Sequence, residues 1–182
     1  MRKIITLTTF LLILLAIGIG LGACVKAALN TDVPLAAVPT GSMEPTIAKG
    51  SLLIIQGIAP KDVKVGDIVV YKLPYARRYT ILFVFSYYVP SPIVHRVIAK
   101  TVVNGEYYFL TKGDANSIPD QNPLDVNTWL RGEDILGKVL FTIPYIGYFY
   151  LWAKTPIGTI VIAAIIVILA ASLVFNEAKE KH

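Results

Sequence analysis

Proton-transfer chemistry at neutral pH has few candidates in this sequence. Its 182 residues include two histidines and one cysteine, and His182 is the last residue. A chain terminus is a poor place to hold an imidazole in fixed geometry. His95 is therefore the imidazole that a folded domain can use as a general base. With one usable histidine and Cys24 as the sole thiol, a His/Cys zinc site lacks ligands, so no metal is expected. No glycine-rich loop follows a strand and opens a helix, so no nucleotide cofactor is expected either.

A base of this kind needs a nucleophile to serve and a carboxylate to orient it. Ser42 stands in Pro39-Thr40-Gly41-Ser42-Met43-Glu44-Pro45-Thr46. There Gly41 permits close backbone approach and Pro45 biases Glu44 toward an extended conformation. Both features suit a serine held on a bent, exposed segment, though Gly-Ser is also an ordinary loop pair. A serine hydroxyl attacks only when a base takes its proton, the role open to His95. The carboxylate comes from hairpin geometry. Asn104-Gly105 is the strongest turn signal in the chain, since both residues tolerate the positive φ of a type I′ turn. Continuing the register from Val103 opposite Glu106 without interruption puts His95 opposite Asp114 on the same face. A bulge in so long a ladder would shift that pairing. A structural His–Asp hydrogen bond is the competing interpretation.

The elements that must position these residues read as β-structure. Residues 33–38, 52–56, 67–72, 93–103, 106–111 and 135–141 are short runs rich in Val, Ile, Tyr and Phe, separated by Gly, Pro, Asn and Asp. No 3.6-residue amphipathic pattern interrupts them, and the fold class expected is mainly β. One domain of roughly 130 residues can bury its own core.

The hydrophobic fraction of 55% is concentrated at the two ends. Residues 4–25 and 157–175 carry no charge, and about 20 helical residues cross a hydrocarbon core. The expected layout is a cytoplasmic stretch 1–3, a transmembrane helix 4–25, an extracytoplasmic domain 26–154, a second transmembrane helix 157–175 and a cytoplasmic tail 176–182. The first apolar run is longer than the core of a cleavable signal, so it reads as an uncleaved anchor. A cleaved signal, or lipidation of Cys24 in Leu21-Gly22-Ala23-Cys24, are the competing readings. Arg2, Lys3, Lys179 and Lys181 flank the outer ends, against Lys26 and Lys154 inside, which puts both termini in the cytoplasm. Tyr145, Tyr148, Phe149, Tyr150 and Trp152 read as an interfacial aromatic belt, with ordinary core aromatics as the alternative. The net charge of +5 is scattered, and no basic stripe with interleaved aromatics suggests nucleic acid.

Several of these segments resemble motifs of signal peptidase I. Gly41-Ser42-Met43-Glu44-Pro45-Thr46 is similar to that family's serine motif, and Gly66-Asp67-Ile68-Val69 to the short motif after it. Ile93-Val94-His95-Arg96-Val97 resembles the histidine motif of the archaeal and endoplasmic-reticulum branch, where bacterial members use lysine. Phe109-Leu110-Thr111-Lys112-Gly113-Asp114 resembles the next motif, Asp120 falls at the branch's second aspartate, and Ile143-Pro144-Tyr145-Ile146-Gly147 matches a further segment. The resemblance covers residues 38–147 with the motifs in the family's order.

The resemblance implies a compact all-β protease domain flanked by N- and C-terminal transmembrane helices. It implies Ser42 as nucleophile, His95 as general base, Asp120 as the triad acid and Asp114 as a second essential carboxylate. The Ser42 amide and the Thr40 hydroxyl would form the oxyanion hole. Substrates would be secretory preproteins cut after small residues, with the lipid bilayer and the protein translocation channel as partners. Short tails favour an archaeal cell membrane over the endoplasmic reticulum. A non-catalytic signal-peptide-binding subunit and a specialised envelope-precursor protease are the alternatives. Two departures stand out: Ala115 replaces an Asn common in the branch, and an apolar insertion at 73–92, uncharged from 79 to 89, separates the second motif from the histidine motif. That insertion is expected to dip into the outer leaflet or cover the site, with a buried strand pair as the alternative.

Overall fold

The computed structural model describes residues 2–81, 85–89 and 91–179. A long apolar helix, α1 (Arg2–Leu29), leads into strands β1 (Leu35–Ala37), β2 (Leu52–Gln56), β3 (Ile68–Tyr71), β4 (Arg77–Ile81) and β5 (Phe85–Val89). Then follow β6 (Ile93–Val103), β7 (Glu106–Lys112), β8 (Leu130–Arg131) and β9 (Ile135–Ile143), and two helices, α2 (Ile146–Ala153) and α3 (Pro156–Lys179). Seven strands form one antiparallel sheet in the order β1-β2-β9-β3-β6-β7-β8. The mainly β expectation holds.

β3 lies at the centre of that order and is buried on both faces. Successive strand residues point to opposite sides, so Val70 joins one core with Val38, Met43, Ile47, Leu53 and Ile55. Its neighbours Val69 and Tyr71 join a second core with Val63, Val97, Phe109 and Leu130. The continuous apolar run of β3 follows from this double burial.

The β6–β7 hairpin forms at the expected turn, with φ of 51° at Asn104 and 85° at Gly105. Its register differs from the uninterrupted ladder. Val103 faces Glu106 and Ala99 faces Leu110, but beyond a shift between Val97 and Ala99 the pairs are Val97–Thr111 and Arg96–Lys112. Ile98 is the extra residue, 37% exposed, so the strand bends there and every residue before it slips by one position. The expected placement of Asp114 opposite His95 is thereby corrected.

The segment 73–92 contains β4 and β5, which pair with each other as a two-stranded sheet, from Arg77 opposite Val89 to Ile81 opposite Phe85. It meets the domain through Tyr88, which packs on the first core, and Arg78, which donates to Asp32 at 2.5 Å. Residues 82–84 and 90, on which the expectation of a membrane-dipping or site-covering insertion also falls, lie outside the described residues.

The expected first span extends to Leu29, where the Gly57 amide, just after β2, donates to the Leu29 carbonyl at 2.8 Å and docks the helix end on the domain. Its Thr8–Leu29 portion is long and apolar enough to cross a membrane, with mean hydropathy 2.4. α2 was not legible as a helix in the sequence. It meets α3 at an 89° bend, and together Ile146–Ala153 and Pro156–Ser172 reach the length and apolarity of a span. α1 and α3 are in contact. Tyr145, Tyr148, Phe149 and Trp152 are 71%, 49%, 62% and 40% exposed, which overturns the core-aromatic alternative for these four. Tyr150 instead turns inward and donates to the Leu35 carbonyl at 3.2 Å.

Candidate active site

Ser42 sits on a turn between β1 and β2 that the core holds by its flanks. Met43 and Ile47 are 0% and 2% exposed and occupy the first core. The Ile47 amide donates to the Met43 carbonyl at 2.8 Å, and Glu44 donates to Gly41 at 3.0 Å. Below the turn, Val38 donates to Ser51 at 3.0 Å and Gly50 to Val38 at 2.8 Å. With apolar neighbours committed to the interior, the Ser42 side chain is left at the surface.

His95 is the third residue of β6, paired with Val69. It shares a strand face with Val97 and is 8% exposed. Asp120 lies on the loop after β7, folded back so that its amide donates to the Thr111 carbonyl at 2.8 Å.

Three residues distant in sequence meet here. The His95 Nδ1–H donates to Asp120 Oδ2 at 2.6 Å, and the Ser42 hydroxyl donates to His95 Nε2 at 3.1 Å. A carboxylate accepts only, so it selects the tautomer with the proton on Nδ1 and leaves the Nε2 lone pair facing the serine. Thr40 Oγ1 is 3.4 Å from Ser42 Oγ, beside the serine, where the resemblance had placed an oxyanion donor.

Asp120 is set among donors. Thr111 Oγ1 and the Tyr71 hydroxyl donate to the same Oδ2 at 2.6 and 3.1 Å. Burial works against its charge, yet the bonds from His95, Thr111 and Tyr71 outweigh burial and hold the carboxyl below the usual carboxylate range. Asp120 is thus ionised at neutral pH, as an imidazolium partner requires.

Asp114 goes elsewhere. Arg96 Nε and Nη2 donate to its two oxygens at 2.8 and 2.6 Å, a bidentate pair. Arg96 Nη1 also donates to the Gly66 carbonyl at 2.9 Å. The guanidinium therefore ties the loop before β3 to the start of the Asp114–Asp120 loop. Hydrogen bonding to Arg96 holds Asp114 below the usual carboxylate range, with burial opposing. Because neighbours along a strand face opposite ways, His95 and Arg96 send their two carboxylates to opposite sides.

The serine turn and the aspartate loop touch directly. The Ala115 amide donates to the Ser42 carbonyl at 2.9 Å. The backbone makes this contact, so the missing Asn side chain at 115 does not affect it. A Cβ at Gly113 would lie 2.6 Å from the same carbonyl oxygen, so only glycine lets the loops approach this closely. Tyr71, Thr111 and Arg96 had no separate role in the sequence. The signal for Tyr71 was a phenol in an apolar strand, whose hydroxyl must find a buried partner.

This arrangement is that of a serine activated by an oriented imidazole, competent for acyl transfer. Comparison with known proteins gives a matching picture. The family model described as signal peptidase, peptidase S26, matches residues 5–102, more than half of the chain and including Ser42 and His95. The signal peptidase complex catalytic subunit SEC11C of Homo sapiens is 33% identical over 120 residues, covering 65% of this chain and 56% of that protein. SEC11 of Schizophyllum commune, another signal peptidase complex catalytic subunit, is 34% identical over 136 residues, 65% of this chain and 64% of its own. An uncharacterized protein of Methanocaldococcus jannaschii is 30% identical over 166 residues, 64% of this chain and 82% of its own. The chain thus spans 56% of the length of the mammalian relatives it matches. By the extent of the family match, this chain belongs to the signal peptidase family, peptidase S26.

Proposed function

We propose that the protein is a membrane-bound serine endopeptidase that removes signal peptides from secretory preproteins after small residues. The observation that carries this is the chain of contacts from Ser42 Oγ to His95 Nε2 at 3.1 Å and from His95 Nδ1 to Asp120 Oδ2 at 2.6 Å.

In the first half of the reaction His95 takes the Ser42 proton as Oγ attacks the scissile carbonyl, and Asp120 stabilises the imidazolium that results. The Ser42 amide and the Thr40 hydroxyl receive the oxyanion; such a donor contributes about 3–4 kcal/mol to the barrier lowering. His95 returns the proton to the leaving amine and the signal peptide stays as an acyl group on Ser42. In the second half His95 activates water, and hydrolysis frees the serine. Asp114 serves by fixing Arg96, and no cofactor enters the reaction.

The membrane reading follows from the helices. α1 anchors the chain, both termini are cytoplasmic, the catalytic domain is extracytoplasmic, and α3 is the second span. α2, bent by 89° from α3, lies along the interface with Tyr148, Phe149 and Trp152 toward the headgroups. The host is the cell membrane, where the protein translocation channel delivers signal peptides held in the bilayer by their apolar segments.

The test is cleavage of a preprotein with alanine at positions −3 and −1 by wild type and Ser42→Ala in liposomes, read by the mass of the mature product. Release of the correct mature chain by wild type alone supports the proposal. No cleavage by folded wild type across several preproteins would move the assignment to a signal-peptide-binding subunit.

A further inference from the structure

The Ser42–His95–Asp120 reading leaves open what holds the aspartate, and the neighbourhood of Asp120 Oδ2 answers it. Three side-chain donors from three different strands converge on that one oxygen: His95 Nδ1 from β6, Thr111 Oγ1 from β7 and the Tyr71 hydroxyl from β3. We propose that Tyr71 is a positioning residue for the reaction, its buried phenol fixing the Asp120 carboxylate so that Oδ2 meets His95 Nδ1.

The ring and the hydroxyl of Tyr71 do different work. The residue is 2% exposed, and its ring packs in the second core among Val63, Val69, Val97, Phe109 and Leu130. It is held there by β3, the central strand of the sheet. The hydroxyl leaves that core toward the site and has two partners within reach, Asp120 Oδ2 at 3.1 Å and Thr111 Oγ1 at 3.3 Å. A donor mounted on a rigid, close-packed ring has little freedom to follow a wandering carboxylate, so the carboxylate follows the donor.

The protons can be assigned. Gln121 brackets Thr111, accepting the Thr111 amide on Oε1 at 2.9 Å and donating from Nε2 to Thr111 Oγ1 at 3.1 Å. With an oxygen lone pair of Thr111 taken by Gln121, its single hydroxyl proton points to Asp120 at 2.6 Å. The Asp120 carboxylate only accepts, so the Tyr71 hydroxyl 3.1 Å from Oδ2 donates to it. Burial pushes the Tyr71 phenol above its ordinary value, so it stays a donor throughout the working range. Asp120 sits on a loop, where a carboxylate would otherwise sample several rotamers. Tyr71 and Thr111 tie that loop to two strands of the sheet.

The experiment compares wild type, Tyr71→Phe and Ser42→Ala as full chains in liposomes, with kcat and KM on one preprotein. It also records the low-field proton signal of the His95 Nδ1–H in detergent. Phenylalanine keeps the ring and its packing and removes only the hydroxyl. The expected result is a fall in kcat of about 10–100-fold, the worth of one hydrogen bond to a charged group, with KM within about twofold and an upfield shift of the His95 signal. An unchanged kcat with an unchanged proton signal overturns the positioning role, and so does a rise in KM alone. Should Tyr71→Phe fail to fold, 3-fluorotyrosine at position 71 keeps the shape and alters the donor; an unmoved His95 signal then overturns the role. Ser42→Ala separates this inference from the one it rests on. Cleavage that survives Ser42→Ala removes the triad reading, whereas cleavage lost there but intact in Tyr71→Phe removes only the role of Tyr71.

Discussion

A serine hydroxyl keeps its proton at neutral pH, so what Ser42 can do depends on the imidazole 3.1 Å away and on which tautomer that imidazole adopts. Asp120 selects that tautomer. Asp120→Asn offers either an amide donor or a weaker acceptor to Nδ1, and kcat is expected to fall by about 10⁴-fold with the fold intact, as checked by preprotein cleavage and circular dichroism. Asp114→Asn leaves the tautomer alone and acts on stability. The Asp114 carboxyl is held below its usual range by Arg96, so its contribution is complete above the ordinary carboxylate range and disappears as pH falls through the lowered value. Thermal unfolding across an acid series is expected to show the gap between wild type and Asp114→Asn closing on acidification; a constant gap would mean that the charge is not what matters. Residue types and motif order singled out Ser42, His95 and both aspartates, and of these the structure brings Ser42, His95 and Asp120 together. Which aspartate touches His95 was not legible from the hairpin, because one bulged residue at Ile98 moves the register and no local signal in Val97-Ile98-Ala99 announces it.

At the scale of elements, the site depends on how closely three segments approach each other. The serine turn is pinned by Met43 and Ile47, and the aspartate loop reaches the Ser42 carbonyl through the Ala115 amide. Gly113→Ala would put a methyl group 2.6 Å from that carbonyl oxygen. Cleavage is expected to drop by about 100-fold, since a displacement of about 1 Å at a reacting group costs that much. Wild-type activity in this variant would contradict the proposed closeness of the two loops. Met43→Ala removes a fully buried side chain next to the nucleophile and is expected to cost about 2–5 kcal/mol of stability, read by denaturant unfolding in detergent. The long strands were legible because alternation and apolar runs persist over several residues. β8, with two residues, is too short to leave a pattern. Most of β4 and all of β5 fall in the uncharged stretch 79–89, where a ribbon of aromatic and aliphatic residues looks the same from sequence as a membrane-seeking one.

At the scale of the whole molecule, the sheet that positions His95 is joined at both ends to apolar helices, and α2 exposes Tyr148, Phe149 and Trp152. α2 escaped sequence reading because eight residues with aromatics on most sides carry no clear helical period. In a Trp129→Phe background Trp152 is the single indole left. Its emission in liposomes is expected to be quenched most by lipids brominated near the headgroup. Quenching strongest at the bilayer centre, or none at all, would contradict an interfacial α2. In the proposed function both membrane anchoring and the sheet serve one chemical event at Ser42, and the most direct test of that event is a rate comparison. Preprotein cleavage should be measured for Ser42→Ala, His95→Ala and the double variant. Residues that act as a unit give losses that do not multiply, so each single variant is expected to lose at least about 10⁴-fold and the double variant no more than either. Losses that multiply in the double variant, or a Ser42→Ala variant that still releases mature protein, would contradict catalysis by this pair.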